Sequence, residues 1–452
     1  MKSFQWIKDS FEQKKALRSS EKMELYRNSL VRRLVAHAYR NVPYYRRLFD
    51  QSGIVPGDIR AVEDLARVPV STKNDMRKHA DDTLSTLESP RRLLTRYTTG
   101  SSGEPFHIRL SIWEAGLSLR HGRRRMAEYG SPRGDLTAVL TLHADSDSKS
   151  RMADLAKPVL NWYAGRRVHL SCREDPERLL KRLQTLQPDV VLGYSGILAE
   201  LGELLRGRRE TEWRPRYLLS GSETLTPLRR RSIEEGFGAR VYDFYAARET
   251  GMIAWECPST GLYHVADDNI IINLEQDGKP VPSEDGVQGE TIVTNLHAYA
   301  MPFIRYRLND AVVKGPPSCP CGSPFSTLRV VLGRRMDYFT LHDGRRVHPL
   351  GIARSFIEEC PFIRQYQIVQ ETHDRIALRA VIAPSTPESR LREIPERIRE
   401  YLEAEVEVRI DVLDRIPPEP SGKHRLFASH VSDNDPDWTY ETDHHRGRLN
   451  GE

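Results

Sequence analysis

Leu25, Leu30, Leu34, Val35 and Ala38 recur at helical spacing and predict an amphipathic helix that Asn41-Val42-Pro43 ends. A second helical stretch, Arg47 to Asp50, leads into the turn Gly53-Ile54-Val55-Pro56-Gly57. From about residue 94 to 330, short apolar runs at 136–142, 190–192, 217–219 and 241–244 alternate with helical stretches at 176–186 and 225–235. Such alternation predicts α/β units built on a substantially parallel sheet. After Gly333 the character changes. Residues 375–383 look like a strand and 389–403 like a helix, and Val406, Val408, Ile410 and Val412 alternate with a period of two. This predicts a compact α+β unit of about 100 residues. Beyond Asp433 the chain turns polar and charged and is expected to be disordered.

With 452 residues, the chain is long enough for two or more structural units. Its 68 Lys and Arg against 63 Asp and Glu leave a net charge of +5, which is small for that length. The clusters Arg123-Arg124-Arg125 and Arg229-Arg230-Arg231 read as solvated helix faces, since acidic residues are interleaved and no nucleic-acid motif accompanies them. No uncharged apolar run approaches the ~18 residues that a membrane-spanning helix requires. Near the N-terminus, Phe4, Trp6 and Ile7 are followed at once by Lys8 and Asp9, which leaves no apolar core for a secretory signal. Five cysteines are too few for a disulfide scaffold. A cytoplasmic protein that binds neither nucleic acid nor membrane is expected.

Five segments carry candidate chemistry. Thr98-Thr99-Gly100-Ser101-Ser102-Gly103 combines hydroxyl donors with glycines that let backbone amides turn toward an anion, although no Gly-Lys-Ser/Thr closes it as a Walker loop. In Tyr242-Asp243-Phe244-Tyr245-Ala246-Ala247-Arg248-Glu249, an aromatic face suited to a flat base precedes a carboxylate suited to a hard cation. Ile304 to Asp310 reads as a strand ending in a carboxylate that can accept from ribose hydroxyls. Gly333-Arg334-Arg335-Met336-Asp337 lies at the change of composition, and Pro417-Pro418-Glu419-Pro420-Ser421-Gly422-Lys423 offers a lysine on a stiffened loop.

Taken in order, and together with Asn41-Val42-Pro43-Tyr44-Tyr45, the stretch Val68 to Asp75 and Ser220-Gly221-Ser222-Glu223, these segments resemble the adenylate-forming superfamily of acyl-CoA synthetases, adenylation domains and luciferases. The similarity is greatest to its phenylacetate–CoA ligase branch and spans some 380 residues. The resemblance implies a large N-terminal α/β domain followed by a small mobile C-terminal α+β domain. Residues 1–90 would form the helical part of the large domain and 91–336 its ATP- and acyl-binding core. Residues 337–433 would be the mobile domain and 434–452 a tail. It further implies that Thr98, Thr99, Gly100, Ser101, Ser102 and Gly103 wrap the β- and γ-phosphates of ATP. Gly221, Ser222 and Glu223 would line the adenine, with Tyr245 stacking on the base or closing the acyl pocket. Glu249 would hold Mg²⁺, Asp310 the ribose, and Arg334 ribose or phosphate. Asp337 would be the hinge, and Lys423 would bridge the substrate carboxylate and the α-phosphate. The implied activity is that of an AMP-forming acid–thiol ligase, with CoA the favoured thiol and a homodimer the family habit.

Three positions depart from the branch. Glu104 stands where it has Lys. Arg248 replaces a small hydroxyl residue and can pair with Glu249, or reach a phosphate or an acidic substrate. Asn309 replaces a Gly and tolerates similar backbone angles. An acyl pocket is expected from His143, Ser220, Phe244, Ala246 and Gly251. Because the segment 140–147 is polar, an aryl or small polar acid is expected rather than phenylacetate. A carrier-protein thiol, an amine or a hydroxyl are alternative acceptors, and a catalytically impaired nucleotide-binding protein is the alternative from a different class. Separately, Cys257, His264, Cys319 and Cys321 form a C-x6-H…C-x-C set suited to closed, structural zinc, whereas Cys172 and Cys360 read as isolated buried thiols.

Overall fold

The computed structural model describes Gln13 and residues 15–98, 106–131, 135–142, 165–206, 213–276, 278–334, 338–355, 357–384, 386–417 and 424–431. Helix α1 (Ser20–Asn41) starts at Ser19, whose hydroxyl accepts from the Lys22 N–H. It buries Met23, Tyr26, Leu30, Val31, Leu34, Val35 and Ala38. Leu25 falls outside this stripe and is exposed. Pro43 opens α2 (Pro43–Gln51) as its first residue, where a missing N–H costs nothing, so helix resumes there. Helix α3 (Lys73–Lys78) begins with a capping box between Thr72 and Asp75.

Strands β1 (Leu94–Thr98) and β2 (Phe106–Leu110) form an antiparallel hairpin leading to α4 (Ile112–Glu128). Next come β3 (Leu136–Thr141), β4 (Arg166–Ser171), α5 (Pro176–Leu186), β5 (Val190–Gly193), α6 (Ser195–Leu205), β6 (Tyr217–Gly221), α7 (Pro227–Phe237) and β7 (Val241–Ala247). Strands β3 to β7 pair in parallel, as the alternation predicts. Beyond β7 the same sheet turns antiparallel through β8 (Gly251–Glu256), β9 (Tyr263–Val265), β10 (Ile270–Gln276), β11 (Lys279–Pro280), β12 (Gln288–Asn295), β13 (Tyr306–Lys314) and β14 (Thr327–Arg334). The parallel expectation therefore holds for one half of the sheet only. Strands such as β12 are buried almost throughout, which erases the two-residue alternation that marks a half-exposed antiparallel strand.

After hairpin β15 (Phe339–Thr340) and β16 (Arg346–Val347) comes α8 (Leu350–Ser355), then β17 (Ile363–Thr372) and β18 (Arg375–Ile382). The chain closes with α9 (Glu388–Arg392), α10 (Ile394–Leu402), β19 (Glu407–Val412) and β20 (Phe427–Ser429). The expected single helix is broken at Glu393, before Pro395 in the first turn of α10. The four strands order as β19-β18-β17-β20. Their core is continuous with Leu228, Ala311 and Leu332 of the large domain, so the two domains share apolar contact.

The arginine clusters are only partly solvated, with Arg231 exposed. Arg125 and Arg229 are buried. Arg124 donates to both oxygens of the fully buried Asp268, at 2.7 and 3.1 Å.

Candidate active site and metal centre

The parallel strands end along one edge, and the candidate residues gather there. In register, Ser220 lies opposite Asp243 and Gly221 opposite Phe244. A Cβ on Gly221 would come within 2.5 Å of the Phe244 ring, so a side chain here would displace it. Ser222 then takes a left-handed backbone (φ 68°), turning the chain toward Glu223. Buried Asp243 accepts from the Tyr263 hydroxyl at 2.7 Å, and burial pushes its carboxyl up to about 7.

Tyr245, two positions on, donates its hydroxyl to Asp310 Oδ2 at 2.8 Å. Burial, then the Asp310 charge, hold the phenol well above its usual range. Asp310 lies within β13 rather than at its end, directly opposite Arg334 on β14. Asn309 has the left-handed backbone that its substitution for Gly requires (φ 59°). Glu249, in the turn between β7 and β8, accepts from the Tyr306 hydroxyl at 3.4 Å. Backbone bonds from Ser71 N–H to Arg305 O (3.0 Å) and from Arg307 N–H to Ser71 O (2.9 Å) stitch the start of α3 beside Tyr306. Lys73 is thereby brought near Glu249; burial lowers its pKa while Glu249 favours its charge. Arg248 makes no ion pair with Glu249, so one of the expected alternatives is not realised and the carboxylate stays available to a cation. Arg96, Ser118, Arg248, Glu249, Asn295 and His297 line a common cleft with Gly251.

Glu223 is not simply a lining residue. Its buried carboxylate accepts from the Gly196 N–H (2.8 Å), the Ser195 hydroxyl (3.3 Å), Arg229 Nη1 (3.3 Å) and the His424 N–H (2.9 Å). Arg229 Nη2 in turn donates to the His424 carbonyl at 2.8 Å, and Arg415 donates to Glu200 at 2.7 Å. A Cβ on Gly196 would lie 2.7 Å from the His424 side chain. The residue after Lys423 is thus clamped onto the large domain. Thr99, Gly100, Ser101, Ser102, Gly103, His143, Asp337 and Lys423 lie outside the described residues, and Thr98 is described only as the last residue of β1.

Cys257, His264, Cys319 and Cys321 converge from four points of the sequence, with one donor atom from each within 4.8 Å of the others. The Cys257 and Cys319 sulfurs are 3.8 Å apart, and Cys321 Sγ is 3.4 Å from His264 Nε2. These separations suit the edges of a tetrahedron around a thiolate-binding cation. Glu128 stands 3.5 Å from the other ring nitrogen of His264 and accepts from Trp255 Nε1 at 2.7 Å. A carboxylate there orients a ligating imidazole. Cys172 and Cys360 are half-buried and stand apart.

Residues 339–430 match the family model of the CapK C-terminal domain. Phenylacetate-coenzyme A ligase of Thermus thermophilus is 25% identical over 365 residues, spanning 77% of this chain and 78% of that protein. Protein CapK of Staphylococcus aureus is 20% identical over 435 residues, spanning 94% and 93%. 2-Hydroxyisobutyryl-CoA ligase in its postadenylation state has the same fold, with a TM-score of 0.76, 21% identity and coverage of 92% and 91%. The same ligase in its thioesterification state scores 0.59. Over most of its length the chain is similar to phenylacetate–CoA ligases, and it has the fold of the adenylate-forming ligases.

Two features of this chain escape the sequence motifs. The first is the Glu223–Arg229–His424 clamp. The second is Arg125, whose guanidinium stacks 4.2 Å over the Phe244 ring, with Nε and Nη1 lacking a hydrogen-bond partner among the described residues. Burial lowers its pKa to about 10. An Arg in a run of three on a helix carries no local sign of burial; only the helical phase relative to Leu117, His121 and Met126 betrays it.

Proposed function

We propose that this protein activates a carboxylic acid with ATP, releasing pyrophosphate, and then passes the acyl group to CoA. The gathering of Glu249, Tyr245, Asp310 and Arg334 on adjoining strands and turns of one sheet, with the neighbour of Lys423 docked on the large domain, carries the proposal. Attack of a carboxylate on the α-phosphate brings two anions together, so positive charge is needed where they meet. Lys423 supplies it from the small domain, and docking of the 424–431 segment positions it. Asp310 and Arg334 orient the ribose, with Tyr245 held beside them by its bond to Asp310. Glu249 would hold Mg²⁺, which when bound neutralises phosphate charge. After adenylation the small domain pivots about Asp337, between residues 91–336 and 337–433, to admit the thiol. The better superposition on a postadenylation arrangement than on a thioesterification one supports docking as the adenylating state.

Relatives named for phenylacetate and 2-hydroxyisobutyryl substrates support an aryl or small polar acid. Arg125, a buried cation over Phe244, favours a polar one. Four converging thiolate and imidazole donors support a structural zinc ion, held remote from the chemistry. Among the described residues no helix is long and apolar enough to cross a membrane, and a cytoplasmic location and a homodimer complete the proposal. The test is pyrophosphate release over a panel of acids, with mass spectrometry of products formed with CoA. Release that survives Lys423→Ala unchanged, or no acyl-CoA with any acid that supports release, contradicts it.

A further inference from the structure

Arg96 and Arg248 line the cleft that contains Glu249. Arg96 belongs to β1, just before the loop 98–103, and Arg248 precedes Glu249 in the turn after β7. Among the described residues neither makes a hydrogen bond or ion pair, and Arg248 lies close enough to oppose the charge of Arg96. In the same cleft, buried His121 and the neighbouring buried Thr250 each leave a polar atom, Nε2 and Oγ1, without a hydrogen-bond partner, although His121 Nε2 stands 3.9 Å from Asp268. Two guanidiniums close together in one cleft, neither ion-paired to a described carboxylate, make an arrangement that an anion completes.

Anionic oxygens could come from the phosphates of ATP or from a second carboxylate on the acid. Position favours phosphate. Arg248 also lies within electrostatic reach of Tyr194, at the end of β5, so it faces the edge where the parallel strands stop. The loop beginning at Thr98 carries Glu104 in place of a lysine and is short of positive charge. We propose that Arg96 and Arg248 together bind the β- and γ-phosphates of ATP, supplying from the hairpin and the metal-bearing turn the charge that the loop lacks. This assignment rests on the adenylation proposal above.

The test uses the full chain and titration calorimetry with Mg·ATP and with AMP. Arg96→Gln and Arg248→Ser should each weaken Mg·ATP binding about 10–100-fold, the range for a lost charge-assisted contact. AMP, which lacks the two outer phosphates, should bind within about twofold of wild type. Adding Glu104→Lys to Arg248→Ser should restore much of the loss, and Arg248→Lys should retain most of the affinity. Unchanged Mg·ATP binding in an Arg96→Gln/Arg248→Ser double variant overturns the assignment. An equal fall for ATP and AMP overturns it too, as a general loss of the site. A raised KM for the acid in pyrophosphate release, with Mg·ATP binding intact, would reassign the pair to a substrate carboxylate. A wild-type protein that binds no Mg·ATP would instead overturn the adenylation proposal itself.

Discussion

Replacing Glu223 tests the docking account most directly. Its side chain is 5% exposed and its carboxylate joins Gly196, Ser195, Arg229 and His424. Removing one partner of a buried ion pair costs about 3–5 kcal/mol because the other charge is stranded. That cost divides between two places. The contacts to Ser195 and Gly196 hold the start of α6 against the end of β6 and burden the fold of the large domain in either state. Only the His424 bond, together with the aim of Arg229 at the His424 carbonyl, distinguishes docked from undocked. A hydrogen bond to a charged group contributes about 1.5–3 kcal/mol, so Glu223→Ala should reduce the docked population about 10–150-fold relative to the undocked one. Isotope exchange between pyrophosphate and ATP reports the adenylating state; thioester formation from a supplied acyl-adenylate reports the other. Exchange should fall by that factor while the second step is nearly unaffected. If both fall together, or if exchange is unchanged in a protein that melts at a lower temperature, Glu223 is a packing or adenine residue and the clamp does not select a state.

Arg125→Leu should lower kcat/KM for polar acids about 10–100-fold and raise it for apolar ones of similar size, with stability maintained because a buried cation is removed; an unchanged acid spectrum contradicts a pocket role. Purified protein should hold about one zinc ion per chain, and Cys321→Ser should lose it and melt earlier without a change in Mg·ATP affinity; a metal content well below stoichiometric in wild type refutes the centre. His424 has its pKa lowered to about 4 by burial, then by Arg229 and Arg415, while Glu200 at 3.8 Å acts in the opposite sense. The undocked imidazole takes its proton near 6.5, so docking is fully stable above that value and weakens as pH falls from about 6.5 toward 4, by about 1.4 kcal/mol per unit at most. Pyrophosphate exchange should therefore decline below pH 6.5 more steeply than thioester formation, and His424→Gln should flatten the difference; parallel profiles in wild type refute it.

The strand-end motifs were legible because each is a local run whose neighbours in sequence are also its neighbours in space. Gly221, Phe244 and Tyr245 are placed by two parallel strands that their apolar runs announce, and Asn309 carries in its residue type the backbone angle it must adopt. The cluster of Cys257, His264, Cys319 and Cys321 was legible for a different reason: thiols and an imidazole in a chain with only five cysteines have few alternatives to one another. What was not legible depends on distance along the chain. Glu223 reads as part of an adenine-lining run, yet two of its four partners lie at 195–196 and a third at 424, and no periodicity links them.

The arginines show how such misses arise. Arg123, Arg124 and Arg125 are indistinguishable in a run of three, and interleaved acids made a solvated face the economical expectation. On a helix, however, three consecutive residues point about 100° apart. Arg124 reaches Asp268, Arg125 lies over Phe244, and only Arg123 is left to find a backbone carbonyl, that of Ser131. The same composition thus supplies a core ion pair, a buried cation over an aromatic ring and an ordinary helix-end contact. Charge counts predict the field of a protein at a distance, but which cation is stranded without a partner is decided by the packing around it. In an enzyme whose chemistry joins two anions, the stranded cations of the cleft and the pocket are therefore the positions where this chain is expected to differ in specificity from its relatives.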